Sequence, residues 1–494
     1  MARKFDVSAP RKGDLDPEGK RLPIKFDGTS NGEFFPRPPT VNQHYANRLA
    51  HEAASDHAKK LGMGRRAFLV SSMGAATTLA ACNRANPNSG GVYSVTEEAG
   101  FEYAAADAAV GGDEFILDVQ THCVDPSAAW ATGRDGEIWE AALSRAFGQS
   151  TQCTDGSYDC YSAQTLAREV YLDSDTDVAV VSALWGTAES NPTPISYAAE
   201  ARGIIEQIGG EGARCLIHGG VLPNDPGELE AMDEKAEVHG VDAWKMYPQW
   251  GPDAAGFFLD ESDFADRVFD NARRLGKTVI AVHKGVTLYG LDPLYSSPRD
   301  MGNAAVDNPD ITFLVYHSGF QPGVTEAEYD ANGGGVDRLV KAYRDAGLRP
   351  NEGNLYAEMG SLWRYFMGRP DEAAHVMGKL LQTFGEERIV WGTDSIWYGS
   401  PQDQIQAFRA FEISEEYQER FGYPALTPEA KRKIFGLNGA AVYGIDPAEI
   451  ATHQALPERR AEYRAEANPS FATYGPKTRR EFMANWAAHG GRPG

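Results

Sequence analysis

The sequence predicts an α/β protein built as a (β/α)8, TIM-like barrel, and three observations carry the prediction. Eight short apolar, β-branched runs recur between residues 114 and 395. Stretches with helical periodicity separate them, as in residues 260–275 (DESDFADRVFDNARRL) and 335–346 (GVDRLVKAYRDA). Polar, metal-capable side chains stand at the C-terminal ends of the runs. Near-continuous apolar strands alternating with helices read as parallel sheet covered by helices. Eight such units close into a barrel, and a barrel keeps its chemistry at the C-terminal strand ends. The alternative, an open doubly wound sheet, lacks a GxGxxG or GxxxxGKS string after the first run.

The first run, 114–122 (EFILDVQTH), ends in Gln120 and His122. Strand side chains two apart leave the same face, so these two are presented together. Runs 177–185 (DVAVVSALW) and 213–221 (ARCLIHGGV) follow, the latter carrying His218, whose expected role is structural. Run 241–248 (VDAWKMYP) presents Lys245, 278–285 (TVIAVHKG) presents His283, and 311–319 (ITFLVYHSG) presents His317. Run 354–361 (NLYAEMGS) brings Glu358, expected to support a ligand rather than be one, and 387–395 (ERIVWGTDS) brings Asp394. Imidazole and carboxylate together suit a divalent ion such as zinc or manganese. Lys245, Lys284 and Arg364 are candidate grips for a substrate carboxylate. Tyr247, with Trp185, Tyr289, Trp363 and Trp397, is a candidate wall for a cyclic substrate. Helices are expected near 401–411 and 428–443, and residues 446–494 form a C-terminal extension.

Ahead of the barrel, residues 1–64 read as an extension, with an irregular Pro-rich piece at 35–40 and a polar helix at 51–62. Residues 65–82 (RRAFLVSSMGAATTLAAC) resemble a twin-arginine export signal ending in a lipobox, Leu79-Ala80-Ala81-Cys82. The apolar run is too short to span a bilayer. The resemblance implies an exported protein, periplasmic or held to the membrane by a lipid anchor at Cys82. Residues 83–112, rich in small and polar side chains, read as a tether. Cys153 and Cys160 flank a polar loop and are expected either to form a disulfide or to stay free thiols.

With 494 residues and 42% hydrophobic content the chain can bury a large core, and a net charge of −23 disfavours nucleic acid as a partner. The expected partner is a small-molecule substrate, and a homo-oligomer is open.

Five motifs occur in order at these strand ends: Asp118-Val119-Gln120-Thr121-His122, Val282-His283-Lys284-Gly285, Tyr316-His317-Ser318-Gly319, Gly392-Thr393-Asp394, and a closing helix from Lys433 to Gly444. The set, over residues 113–445, resembles the amidohydrolase superfamily, in the amidohydrolase-related branch that also holds aminocarboxymuconate-semialdehyde decarboxylase-like and γ-resorcylate decarboxylase-like enzymes. The resemblance implies one divalent metal, zinc or manganese, held by His122, His283 and Asp394 with Gln120 as a fourth donor. It makes Asp394 and His317 the catalytic pair, His317 serving to stabilise an oxyanion. Gln120 departs from the family's D-x-H-x-H pattern, and its neutral oxygen is a weaker ligand than imidazole, so the metal can be weakly held or absent. The expected function is hydrolysis of a C–N, lactone or ester bond. The alternatives are metal-dependent, non-oxidative decarboxylation and a catalytically inactive exported binding barrel.

Overall fold

Among the described residues ten strands arise in chain order: β1 (Gly91–Tyr93), β2 (Leu117–Thr121), β3 (Val178–Ser182), β4 (Cys215–Val221), β5 (Ala243–Met246), β6 (Val279–His283), β7 (Thr312–Tyr316), β8 (Leu355–Glu358), β9 (Ile389–Val390) and β10 (Phe411–Ile413). They belong to a computed structural model that describes residues 16, 19–143, 158–210, 213–252, 255–287, 291–466 and 475–488. Strands β2 to β9 pair in sequence order, all parallel, into an eight-stranded sheet. The ring closes where the chain after β9 meets β2. There Val119 N donates to Trp391 O (2.9 Å), Asp394 N to Gln120 O (2.9 Å) and His122 N to Ser395 O (2.6 Å). The fold is therefore the (β/α)8 barrel that the sequence predicts.

Side-chain alternation sorts each strand. In β6, Val279 and Ala281 fill the barrel while Ile280 and Val282 face the helices. The helix Asp263–Leu275 shows why the outer ring forms. Ser262 caps it, Gly276 ends it in the left-handed region, and Ala265, Val268, Phe269 and Ala272 bury one stripe.

The segment before the barrel differs most from expectation. Helix α1 (Val41–Lys60) starts at a Thr40–Gln43 capping box and buries Ala46, Ala50, Ala54 and Ala58, an i,i+4 stripe. The arginine pair opens α2 (Arg65–Leu69), and α3 (Ser72–Ala85) packs along α1, with Leu79 and Cys82 at 0% and 1% exposure. Acylation of Cys82 in this folded form would require α3 to leave the core. Residues 83–112 are not a tether. They contain β1, paired antiparallel with β10, and helix α4 (Tyr103–Val110), packed on α3. Small side chains there serve close packing rather than looseness. Among the described residues no helix is long and apolar enough to cross a membrane. Cys82, Cys123 and Cys215 are free and buried, while Cys153 of the expected disulfide lies outside the described residues.

Candidate functional site

Asp394 is the hub at the barrel mouth. Its Oδ1 accepts from Gln120 Nε2 (2.9 Å) and lies 3.2 Å from His122 Nε2, and its Oδ2 accepts from Ser361 Oγ (2.6 Å) and Asn31 Nδ2 (2.8 Å). Burial alone would raise this carboxyl, but the His122 contact and the nearby imidazoles hold it below the usual carboxylate range. The motif around it is knitted by Asp118, which accepts from Gln120 N (3.0 Å), Thr393 N (3.1 Å) and the Thr393 hydroxyl. Two glycines make room. A Cβ at Gly392 would meet Glu358 Oε1 at 1.7 Å, and one at Gly360 would meet Gln120 Oε1 at 2.1 Å.

The histidines are fixed by carbonyls, and a carbonyl only accepts, so each contact names the nitrogen that carries the proton. His122 Nδ1 donates to Ser182 O (2.8 Å), His317 Nδ1 to Gly360 O (2.8 Å) and His283 Nε2 to Val286 O (3.1 Å). Burial holds His283 well below the ordinary histidine value and lowers His317 to about 4, so both are neutral at neutral pH. Their free lone pairs are therefore on His283 Nδ1 and His317 Nε2. The latter is buried without a partner, as is Gln120 Oε1. This corrects the role expected of His317: in this tautomer it cannot donate to an oxyanion through Nε2. Glu358 is tied to the backbone on either side of the site. Its Oε2 accepts from His317 N (2.8 Å) and its Oε1 from Gly360 N, and burial pushes it up to about 8.

The grouping of donors also differs from expectation. His122, Gln120 and Asp394 bond to one another, while His283 pairs with His317, their ring centroids 4.7 Å apart. The third member of the second group is Glu33, whose ligand oxygen lies within 4.8 Å of the ligand nitrogens of His283 and His317. Burial, then the charge of Asp394, pushes Glu33 up to about 8. Neither Glu33 nor Asn31 was singled out from the sequence.

The expected grips divide. Lys245 is inside the barrel, fully buried, its Nζ without a hydrogen bond and 3.3 Å from the centre of the Tyr316 ring; burial lowers its pKa far below the ordinary value. Tyr247 stacks on His283 at 5.1 Å and donates to Ala183 O (3.1 Å). Lys284 does not reach the site. As the neighbour of His283 it faces outward, into a fully buried ion pair with Asp300 at 2.7 Å. Arg364 is spent as well, bound to Asp27 at 2.7 Å and to the carbonyls of Lys25 and Asp27. Of the aromatics, Trp397 stacks on His122 (5.7 Å) and Trp185 packs against Trp139 at the mouth. Trp363 lies in the outer core against Phe408 and Phe411, and Tyr289 is outside the described residues. His218 bonds Tyr443 and Tyr316, consistent with a structural role.

Backbone strain gathers here. Among the described residues six non-glycine positions have positive φ, and His317, Ser318, Ser361 and Asp394 are four of them. Such conformations cost on the order of 1–3 kcal/mol each and persist where surrounding structure enforces them, often at functional sites. One string, Gly28-Thr29-Ser30-Asn31-Gly32, has the spacing of a nucleophile elbow. Its Ser30 hydroxyl, however, closes a turn by donating to Phe34 O (2.5 Å) and accepting from Gly32 N (2.9 Å).

The residues fit a divalent metal. Two neutral imidazoles keep buried lone pairs, an amide oxygen is unpartnered, and the His122 lone-pair nitrogen faces a carboxylate oxygen at 3.2 Å, a contact that needs a proton or a cation between the two.

A family model described as Amidohydrolase matches residues 151–445, more than half of the chain. The chain belongs to this amidohydrolase family, a family of enzymes. No curated protein matches it. Among solved structures it is similar to an uncharacterized TIM-barrel protein of Bordetella bronchiseptica (15% identity, TM-score 0.42, covering 67% of this chain and 99% of that one). It is also similar to 5-carboxyvanillate decarboxylase of Sphingomonas paucimobilis (12%, 0.43, 68% and 100%). A third is a probable 2-pyrone-4,6-dicarboxylic acid hydrolase of Acinetobacter baumannii (10%, 0.40, 67% and 99%).

Proposed function

We propose that the protein is a metal-assisted hydrolase acting on a C–N, lactone or ester bond of a small cyclic substrate at the barrel mouth. The observation that carries this reading is the pairing of a four-times-contacted Asp394 carboxylate with imidazoles whose lone pairs face inward. His283 and His317 would hold the ion, zinc or manganese, which when bound supplies Lewis-acid polarisation of the scissile carbonyl, with His122, Gln120 and Asp394 as the hydrogen-bonded group beside them. Asp394 takes the proton of the attacking water and returns it to the leaving group. A carboxylate held low is a weak base, so it suits a proton already made acidic by its surroundings. Gln120, Ser361 and Asn31 fix the orientation of that carboxylate by hydrogen bonds of 2.6–2.9 Å. Glu358 positions His317 through its backbone amide. Trp397 and Tyr247, stacked on His122 and His283, exclude water and offer flat apolar faces to a ring.

Decarboxylation of a carboxylated substrate has less support, because Lys284 and Arg364 are consumed by Asp300 and Asp27 and, of the three expected grips, Lys245 alone lies inside the barrel. Turnover of lactone, amide, ester and hydroxybenzoate panels by the purified full chain decides between them. Ring opening or amine release supports hydrolysis, and release of carbon dioxide overturns it. The twin-arginine pattern adds export to the periplasm to this proposal, with the folded segment before Cys82 retained. Replacing Arg65 and Arg66 by Lys should then retain the protein in the cytoplasm, and undiminished export would refute it.

A further inference from the structure

Glu33 reaches the barrel mouth from outside the barrel, on a strap of residues 22–34 that precedes α1. The strap is held firmly. Asp27 binds Arg364 at 2.7 Å and Lys477 at 3.3 Å, Ser30 N donates to Pro476 O (2.9 Å), and the Phe34 ring meets Phe320 and Tyr365 edge-on at 6.0 and 5.6 Å. The position of Glu33 is thus set by buried charge and aromatic packing on both sides of it.

At the mouth, Asn31 Nδ2 bridges the two carboxylates, 2.6 Å from Glu33 Oε2 and 2.8 Å from Asp394 Oδ2. Glu33 faces His283 and His317, with the three ligand atoms within 4.8 Å of one another. Carbonyl hydrogen bonds put the protons of both rings on the nitrogens that face those carbonyls, so each ring keeps a lone pair in the neighbourhood of the Glu33 carboxyl group. His317 Nε2 has no other partner, and the nearby Lys245 amine makes no hydrogen bond. Two nitrogens with one carboxyl oxygen, all within 4.8 Å of one another, form a donor set suited to zinc or manganese.

We propose that Glu33, delivered by the N-terminal strap, is a ligand of the barrel's divalent ion together with His283 and His317, supplying the negative charge that Gln120 does not. The inference rests on the metal reading above and adds a ligand from outside the strand ends. It makes the strap part of the site: metal binding should order residues 22–34, and loss of the segment before Cys82 should strip a ligand from the enzyme.

The test uses the full chain freed of metal by chelation and titrated with Zn2+ and Mn2+ by calorimetry. Co2+ is followed by visible absorption, and hydrogen exchange is read on the strap. The wild type should bind one ion per chain and gain protection at residues 22–34. Glu33→Gln should weaken binding at least about tenfold, shift the Co2+ band and abolish the gain in strap protection. Unchanged affinity and spectrum in Glu33→Gln overturn the proposal while leaving the barrel's metal in place. Absence of binding by the wild type overturns this proposal and the metal reading together. Should Glu33→Gln give no folded protein, Glu33→Asp is expected to keep one ion per chain with a shifted Co2+ band, and an unshifted band overturns the proposal.

Discussion

Replacing Asp27 by Ala should release the strap while leaving the barrel folded. Asp27 and Arg364 have side chains 2% and 1% exposed, and the carboxylate also receives Lys477 at 3.3 Å and Thr29 Oγ1 at 2.5 Å. Burial would raise the Asp27 carboxyl, but the charges of Lys477 and Arg364 hold it far below its usual range, so it is ionised at every working pH. Its removal leaves two buried cations without their anion, a change that costs about 3–5 kcal/mol when one partner of a buried pair is deleted. The cost falls on the contact between strap and barrel, because Arg364 belongs to the barrel and Asp27 to the strap. At about 1.4 kcal/mol per decade, local opening of residues 22–34 should rise by roughly two to four orders of magnitude. Hydrogen exchange on peptides covering residues 22–34, compared with peptides from β6 and β7, measures this directly. Faster exchange confined to the strap supports the reasoning. Unchanged exchange, or a uniform loss across the barrel strands, refutes it.

Other consequences follow from the same contacts. Asp394→Asn should lower turnover by at least about 10²-fold with an unchanged circular dichroism spectrum, since positioned acid–base catalysis contributes about 10²–10⁴; near-normal turnover removes Asp394 from the chemistry. Lys284→Met should leave KM unchanged but cost about 3–5 kcal/mol in denaturant unfolding, because it leaves Asp300 buried without its cation; a raised KM with full stability would restore Lys284 as a substrate grip. The Asp16 carboxyl is lowered from 3.8 to about 2, with burial opposing and the His51 hydrogen bond favouring its ionised form. A depressed carboxyl adds stability that is complete above its ordinary value and is lost as pH falls from about 4 to about 2. The wild type should therefore lose more stability than Asp16→Asn across that window in acid unfolding, and parallel curves would contradict the assignment.

The barrel was legible because its strands are apolar runs that each end in a polar residue, and that pattern is local. Gln120, His122, His283, His317 and Asp394 were found for this reason, and all are nearly fully buried at the mouth. The sequence predicts run eight over 387–395, yet only Ile389–Val390 form β9; the polar Gly392-Thr393-Asp394 turn leaves the ladder so that Asp394 can point inward at positive φ. Lys284 and Arg364 were misread because their counter-charges, Asp300 and Asp27, lie on other segments, and a sequence shows a charge without its partner. Glu33 and Asn31 were missed for the same reason. The strap has no periodicity, and its anchors Arg364 and Lys477 lie hundreds of residues later in the chain. Residues 83–112 suggest a tether through composition, but the small side chains there also allow α4 to pack closely on α3.

A divalent ion at the barrel mouth, completed by the N-terminal strap, is the feature on which the proposed chemistry depends. Anomalous diffraction at the metal edge, from crystals of the full chain loaded with zinc or manganese, tests it most directly. One strong peak is expected within about 2.0–2.2 Å of ligand atoms from Glu33, His283 and His317. A peak held by the strand-end residues alone, with Glu33 turned away, would contradict the strap's part in the site, and no peak at the mouth would contradict the claim as a whole.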